Sequence, residues 1–260
     1  SVMFAMQMGQ ALGKLSEEVL SAGDIGLPIF KEPRPAFVAQ NLAAFVSSLE
    51  EEADQVYFYF VIRELAHARL FKQSKWLRDY TVNLITSYAR EITIDNSRII
   101  EMSEGFDPND VASIQQAFET GALIAPRTES QNQALEKIET VLALIEGWVD
   151  CVTQRATVRL PRSSAIAEVV RRKRSAGGPA EKTFLTLIGL ELRPRKLREA
   201  SAMWNQVTDA LGIQKRDAIW SHPDLLPTDA DIANPKALIS KLQNQKYEDA
   251  MDAALRDLLG

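Results

Sequence analysis

Apolar residues recur at three- and four-residue spacing through most of the chain. That period predicts helices over Phe4 to Leu20, Phe37 to Leu49, Val56 to Phe71, Trp76 to Ile100 and Leu135 to Val152. Shorter runs of the same pattern predict helices over Ile166 to Arg174, Ala180 to Ile188, Arg195 to Leu211, Pro235 to Leu242 and Tyr247 to Leu259. Turn-forming clusters separate them: "AGDIGLPIFKEPRP", "EGFDPND", "SAGGPA" and "SHPDLLPTD". Asp107 before Pro108, and Ser163 ahead of the Ile166 run, stand where helix caps belong. The strand candidates "IGLPIF" and "ATVRLP" both carry proline, so any β element should be small and peripheral. The expected architecture is mainly α, a single domain over residues 1–260, with the loop at 175–180 as a possible sub-boundary.

One helix stands out for what lies inside its apolar stripe. Wound at about 100° per residue, Val56 to Phe71 puts Tyr57, Phe60, Leu70 and Phe71 on one side together with Arg63, Glu64 and His67. Charge in such a stripe is costly unless it is paired or liganded, so these three residues mark either a site or a polar pin between helices. A second helix offers partners. In "TVLALIEGWVDCV", Glu146 and Asp150 are one turn apart and border the stripe of Ile138, Leu142, Ile145 and Val149. Glu146 lies at the edge of that stripe. Gly147 between them costs about 1 kcal/mol against alanine, which predicts another backbone passing close by.

Composition adds limits. With 46% hydrophobic and 25% charged residues the chain reads as globular, and a net charge of -5 argues against a nucleic-acid partner, since phosphate binding needs a basic face. The basic run Arg171 to Arg174 reads as a solvated helix end. The lone Cys151 falls in an apolar pattern and reads as a buried small hydrophobe in a reducing compartment. No apolar stretch approaches the roughly 18 residues of a membrane span, and the first residues show no signal-cleavage pattern, so a cytoplasmic location without a membrane partner is expected.

The motifs "RELAH" and "EGWVD" together resemble the thermolysin-like zincins, in which a H-E-x-x-H helix and a later E-x-x-x-D helix build a zinc site. The stretches "IRELAHARLF", "ALIEGWVD", "GGPAEKTFLTLIGLELRPRKLREA" and "WSHPDLLPT" are similar to a bacterial family of zincin-like metallopeptidases or hydrolases. A branch of that family is associated by name with deazaflavin-coenzyme biogenesis. The resemblance runs from "QMGQALGKLSEEVLS" to about Pro227 and implies a zincin-like helical domain. It implies Glu64 as the base that activates a zinc-bound water, His67 and Glu146 as zinc ligands, and Asp150 as the carboxylate that orients a ligand histidine.

Arg63 occupies the place of the first ligand, and a guanidinium has no lone pair to give. Zinc at low occupancy is therefore expected, with Arg63 forking across Asp150 and Glu146 in its stead. The other histidine, His222, could close a ligand set, act as an oxyanion stabiliser, or simply begin a turn before Pro223. A di-iron reading of the Glu64–His67 pair fails, because it needs a second Glu-x-x-His and Ile219 stands three residues before His222. Two functions stay open: a zinc-dependent hydrolase of peptide or amide bonds with a rearranged site, or a non-catalytic relative that binds a peptide or protein.

Overall fold

The computed structural model describes residues 9–10, 12–13, 15–24, 26–92, 126–176, 190 and 195–244. Its helices are α1 (Ala39–Ser47), α2 (Ala53–Gln73), α3 (Lys75–Arg90), α4 (Glu129–Ala156), α5 (Ser163–Ala176), α6 (Leu197–Leu211), α7 (Ile213–Ala218) and α8 (Asp229–Ala233). Residues 15–18 and 235–244 are also helical. The predicted helices Ala180 to Ile188 and Tyr247 to Leu259, most of the 175–180 loop and the Asp107 cap lie outside the described residues.

Helix α4 is the axis of the molecule. Its start is fixed by a capping box in which the Thr128 side chain accepts from Gln131 N and the Gln131 side chain accepts from Thr128 N. It packs most extensively on α6 and then on α2 and α3. The expected close backbone is found at Gly147: a Cβ there would lie 2.7 Å from Ala200 Cβ and from Ser201 N. Around that crossing, Trp148, Trp204 and Trp220 form the aromatic centre of the larger core, with the Trp204 and Trp220 rings stacked at 5.5 Å. Their buried N–H groups find partners where geometry allows: Trp148 Nε1 donates to Asp217 Oδ1 at 3.1 Å and Trp204 Nε1 to Leu144 O at 3.0 Å. Cys151 is buried in this region.

A smaller core joins α1, α2 and α5 through Leu42, Val46, Tyr59, Phe60, Ile166 and Val170. Among the described residues the β structure is one antiparallel bridge, Ser21 to Phe37. "IGLPIF" and "ATVRLP" are bends and turns, not strands, where described. The bridge still has a use. Ala22 N donates to Ala36 O and Val38 N to Leu20 O, each at 2.9 Å, so residues 22–36 form a closed strap with a pinned mouth. This strap lies over the middle of α2. Among the described residues no helix is long and apolar enough to cross a membrane.

Candidate functional site

The middle of α2, the middle of α4, the last turns of α5 and the mouth of the strap meet around a buried set of charges. Arg63, Glu64 and His67 are all buried on α2, as the stripe predicts, and Glu146 and Asp150 on α4 are each 1% exposed. Glu146 is thus fully enclosed, although its own helical pattern places it at an edge. The enclosure comes from elsewhere in the chain, from the strap and α5.

Glu146 is the hub. Arg63 Nη2 donates to its Oε2, and Arg174 Nη2 donates to its Oε1 at 3.0 Å. Burial alone would raise the Glu146 pKa, but Arg174, then Arg63 and His67, outweigh it and hold the carboxyl below its usual range. Burial works against the charge on Arg63 in the same way, and Glu146 reverses it, so the guanidinium is held above its usual value. Gly26, at φ 76°, lets the strap approach this carboxylate: a Cβ would stand 2.8 Å from Glu146 Oε1.

Asp150 has its own partners. Its Oδ2 accepts from Ser201 Oγ at 2.6 Å, Gln154 Nε2 at 2.6 Å and Arg171 at 3.0 and 3.1 Å. The expected fork of Arg63 across both carboxylates is therefore not formed: Arg63 bonds Glu146, and Arg171 takes Asp150 from the other side. Asp150 Oδ1 is buried without a partner, as is the Tyr59 hydroxyl. Burial first, and the Asp150 charge second, push the Tyr59 phenol up to about 12.

Glu64 is held by backbone. Its Oε2 accepts from Gly23 N at 3.0 Å and its Oε1 from Ala36 N at 3.2 Å, so the two ends of the strap clamp one carboxylate. Gly23 has no room for a side chain, since a Cβ would sit 2.8 Å from His67 Cγ and 2.9 Å from Glu64 Oε2. His67 packs on Phe71 at 4.9 Å between ring centres. Burial depresses its pKa to about 4 against the pull of Glu146, with Arg63 and Arg174 adding to the depression, so the ring is neutral at pH 7. Its Nε2 is buried and has no hydrogen-bond partner.

Two further expectations from the sequence are corrected. The basic run of α5 is not a solvated helix end: Arg171 and Arg174 reach Asp150 and Glu146, and Lys173 Nζ lies 3.4 Å from Asp24 Oδ2. Asp24 in turn accepts from Leu20 N at 3.0 Å, and its carbonyl accepts from Arg174, tying the strap to α5. His222 is brought to no such cluster. Its side chain is 62% exposed and its Nδ1 accepts from Asp224 N at 3.3 Å, which is turn chemistry. The residues that reading missed, Asp24, Arg171, Arg174 and Ser201, are ordinary surface types in their local patterns. The one available signal was spacing: Arg171 and Arg174 are three apart and so share a helix face.

In this arrangement both oxygens of Glu146 accept from guanidinium groups, both of Glu64 accept from backbone N–H groups, and position 63 supplies no lone pair. Among the described residues no three His, Cys, Asp or Glu side chains converge to hold a metal ion. Two bare acceptors, His67 Nε2 and Asp150 Oδ1, are left.

A family model described as zincin-like metallopeptidase matches residues 1–239. Among solved structures, the chain is similar to one described as a putative hydrolase with a novel fold from Chloroflexus aurantiacus, at 24% identity and a TM-score of 0.66. That likeness covers 93% of this chain and 69% of the other and bears on the fold alone. Among curated proteins there is no match.

Proposed function

This chain belongs to the zincin-like metallopeptidase family, and we propose that it keeps the family's helical framework while using it to bind a peptide or protein segment, without zinc hydrolysis. One observation carries the reading. The carboxylate at the third-ligand place, Glu146, is capped on both oxygens by Arg63 and Arg174, so permanent cations stand where the family pattern calls for a metal. A zinc site needs about three protein ligands and an open position. The residues at this site do not fit one, because Arg63 cannot ligate and both oxygens of Glu146 are taken by guanidinium groups.

What remains is a shallow groove between the strap and α2, lined by Pro28, Ile29, Phe30, Ala68 and Phe71, with Arg34 stacked on Phe30 at 4.5 Å. Its apolar walls, with the Arg34 cation at the rim, suit the tip of one small apolar side chain of a bound segment, with an acceptor near Arg34. Arg171 and Arg174 of α5 are turned inward onto carboxylates, and neither a nucleic-acid nor a membrane partner is part of the proposal. A second reading, hydrolysis at a rearranged metal site with Glu64 as base and His67 and Glu146 as ligands, is favoured by the unpartnered His67 Nε2.

The deciding measurement is metal content of untagged protein purified without chelator, together with turnover of unstructured peptides. Well under one zinc per chain is expected, with peptides retained uncut and retention weakened by Ile29→Asp. Stoichiometric zinc, lost along with peptide cleavage in Glu64→Gln, overturns the proposal and establishes the second reading.

A further inference from the structure

Helix α2 carries a second feature, on the side away from the buried charges. Phe58 is 50% exposed, Val61 40% and Leu65 47%, on a helix whose opposite face is already buried. A helix that is apolar all round is ordinarily covered all round. These three residues continue a single line in both directions. Asp54, Phe58, Val61, Leu65, Arg69 and Lys72 are all exposed and follow one another at helical spacing along one face. The line is acidic at its N-terminal end, apolar in the middle and basic at its C-terminal end.

Such a line is complementary to itself when reversed. Two copies of α2 laid antiparallel about a two-fold axis near residue 63 place Asp54 against Lys72 of the second copy, Phe58 beside Arg69 of the second copy, and Val61 against Leu65 of the second copy. A parallel arrangement would set like charges together at both ends. The free charges support this occupant: among the described residues Asp54 and Lys72 have no ion-pair partner, and Arg69 stands a loose 4.0 Å from Asp217. Antiparallel helices also oppose their dipoles favourably.

We infer that the outward face of α2 is an isologous contact through which a second copy of this chain docks, antiparallel, α2 against α2. The contact spans about 27 Å of helix and is smaller than the roughly 800 Å² per partner of a standard interface, so the dimer forms reversibly. The two buried charge clusters then face outward, away from the contact. The inference does not depend on what those clusters bind.

Sedimentation velocity on the full chain, from about 1 to about 200 μM, tests it. A monomer–dimer equilibrium with a dissociation constant in roughly the micromolar range is expected. Val61→Asp with Leu65→Asp should weaken it by at least about tenfold, with melting unchanged because both positions are exposed. Asp54→Lys and Lys72→Asp should each weaken self-association by about threefold, while an equimolar mixture of the two variants recovers it as a heterodimer. A parent that is monomeric throughout overturns the inference, whether or not another segment covers the stripe. So does a dimer that the apolar double variant leaves intact, or a mixture that shows no recovery.

Discussion

On its α6 side, α4 presents Gly147, Trp148 and Cys151 to Ala200, Ser201 and Trp204, and the contact is apolar and close. On its α2 and α5 side, one turn of the same helix presents Glu146 and Asp150 to three arginines, and the contact is ionic and enclosed. Both sides are equally buried, yet they answer differently to change. The apolar side loses stability in proportion to volume misfit. The charged side loses little if all its charges leave together and much if one leaves alone, because a stranded charge keeps its desolvation cost without its partner.

The largest effect should come from breaking the charged side at its hub. Glu146→Ala leaves Arg63 and Arg174 facing each other without a carboxylate and should cost roughly 3 to 5 kcal/mol in urea unfolding. Methionine at positions 63, 146 and 174 together should recover most of that loss. If the triple variant is as unstable as Glu146→Ala, the cluster is a source of stability and the contrast with the apolar side disappears.

Acid should also act on the charged side. The His67 pKa falls from 6.5 to about 4 on folding, so the folded protein binds fewer protons than the unfolded chain between those values. Stability should fall by about 3 kcal/mol as pH drops through that window, and His67→Phe should remove that part of the slope. Glu146 adds a further loss at lower pH: its folded pKa is depressed, so its stabilisation is present above the unfolded value of 4.5 and vanishes as pH falls through the folded one. Denaturation curves for parent and His67→Phe at a series of pH values separate the two.

On the apolar side, Gly147→Ala forces a methyl group against the α6 backbone and should cost about 1 to 3 kcal/mol, despite alanine's better helix propensity. An unchanged or raised melting temperature would mean that α4 and α6 can slide apart freely. The smallest effect belongs to the rim. Arg155 bonds Asp209 at 2.7 Å in an exposed position, so Arg155→Ala should change stability by less than about 1 kcal/mol.

The long helices were legible in the sequence because their period survives wherever one face is buried: α1, α2, α5 and α6 lie close to their predicted spans, whereas α4 starts earlier than predicted, at Glu129, α3 ends at Arg90 where a helix to Ile100 was expected, and the short α7 and α8, with too few turns to show a period, were not predicted. Burial of Arg63, Glu64 and His67 was legible for the same reason, since they interrupt an apolar stripe. The enclosure of Glu146 was not, because it is supplied by a strap more than a hundred residues away in sequence and by α5. The α5 arginines were read as solvated because a helix end taken alone gives no account of what faces it. Arg63 was expected to span both carboxylates, but it bonds Glu146 alone, and Asp150 Oδ2 is taken by Ser201, Gln154 and Arg171, partners that come from three different helices. The outward line of Phe58, Val61 and Leu65 is visible in the sequence only once the opposite face is known to be full.

The closed strap has a consequence for engineering. Its mouth is pinned by the Ser21–Phe37 bridge and by the two amides that hold Glu64, while Ile29 near its tip is 50% exposed. Closing a longer loop across a mouth of fixed width is entropically mild, about 0.6 kcal/mol for each doubling of length. The tip between Ile29 and Lys31 is therefore a place to graft foreign sequence: a displayed epitope or affinity handle inserted there would be carried by a rigid collar, directly above the groove.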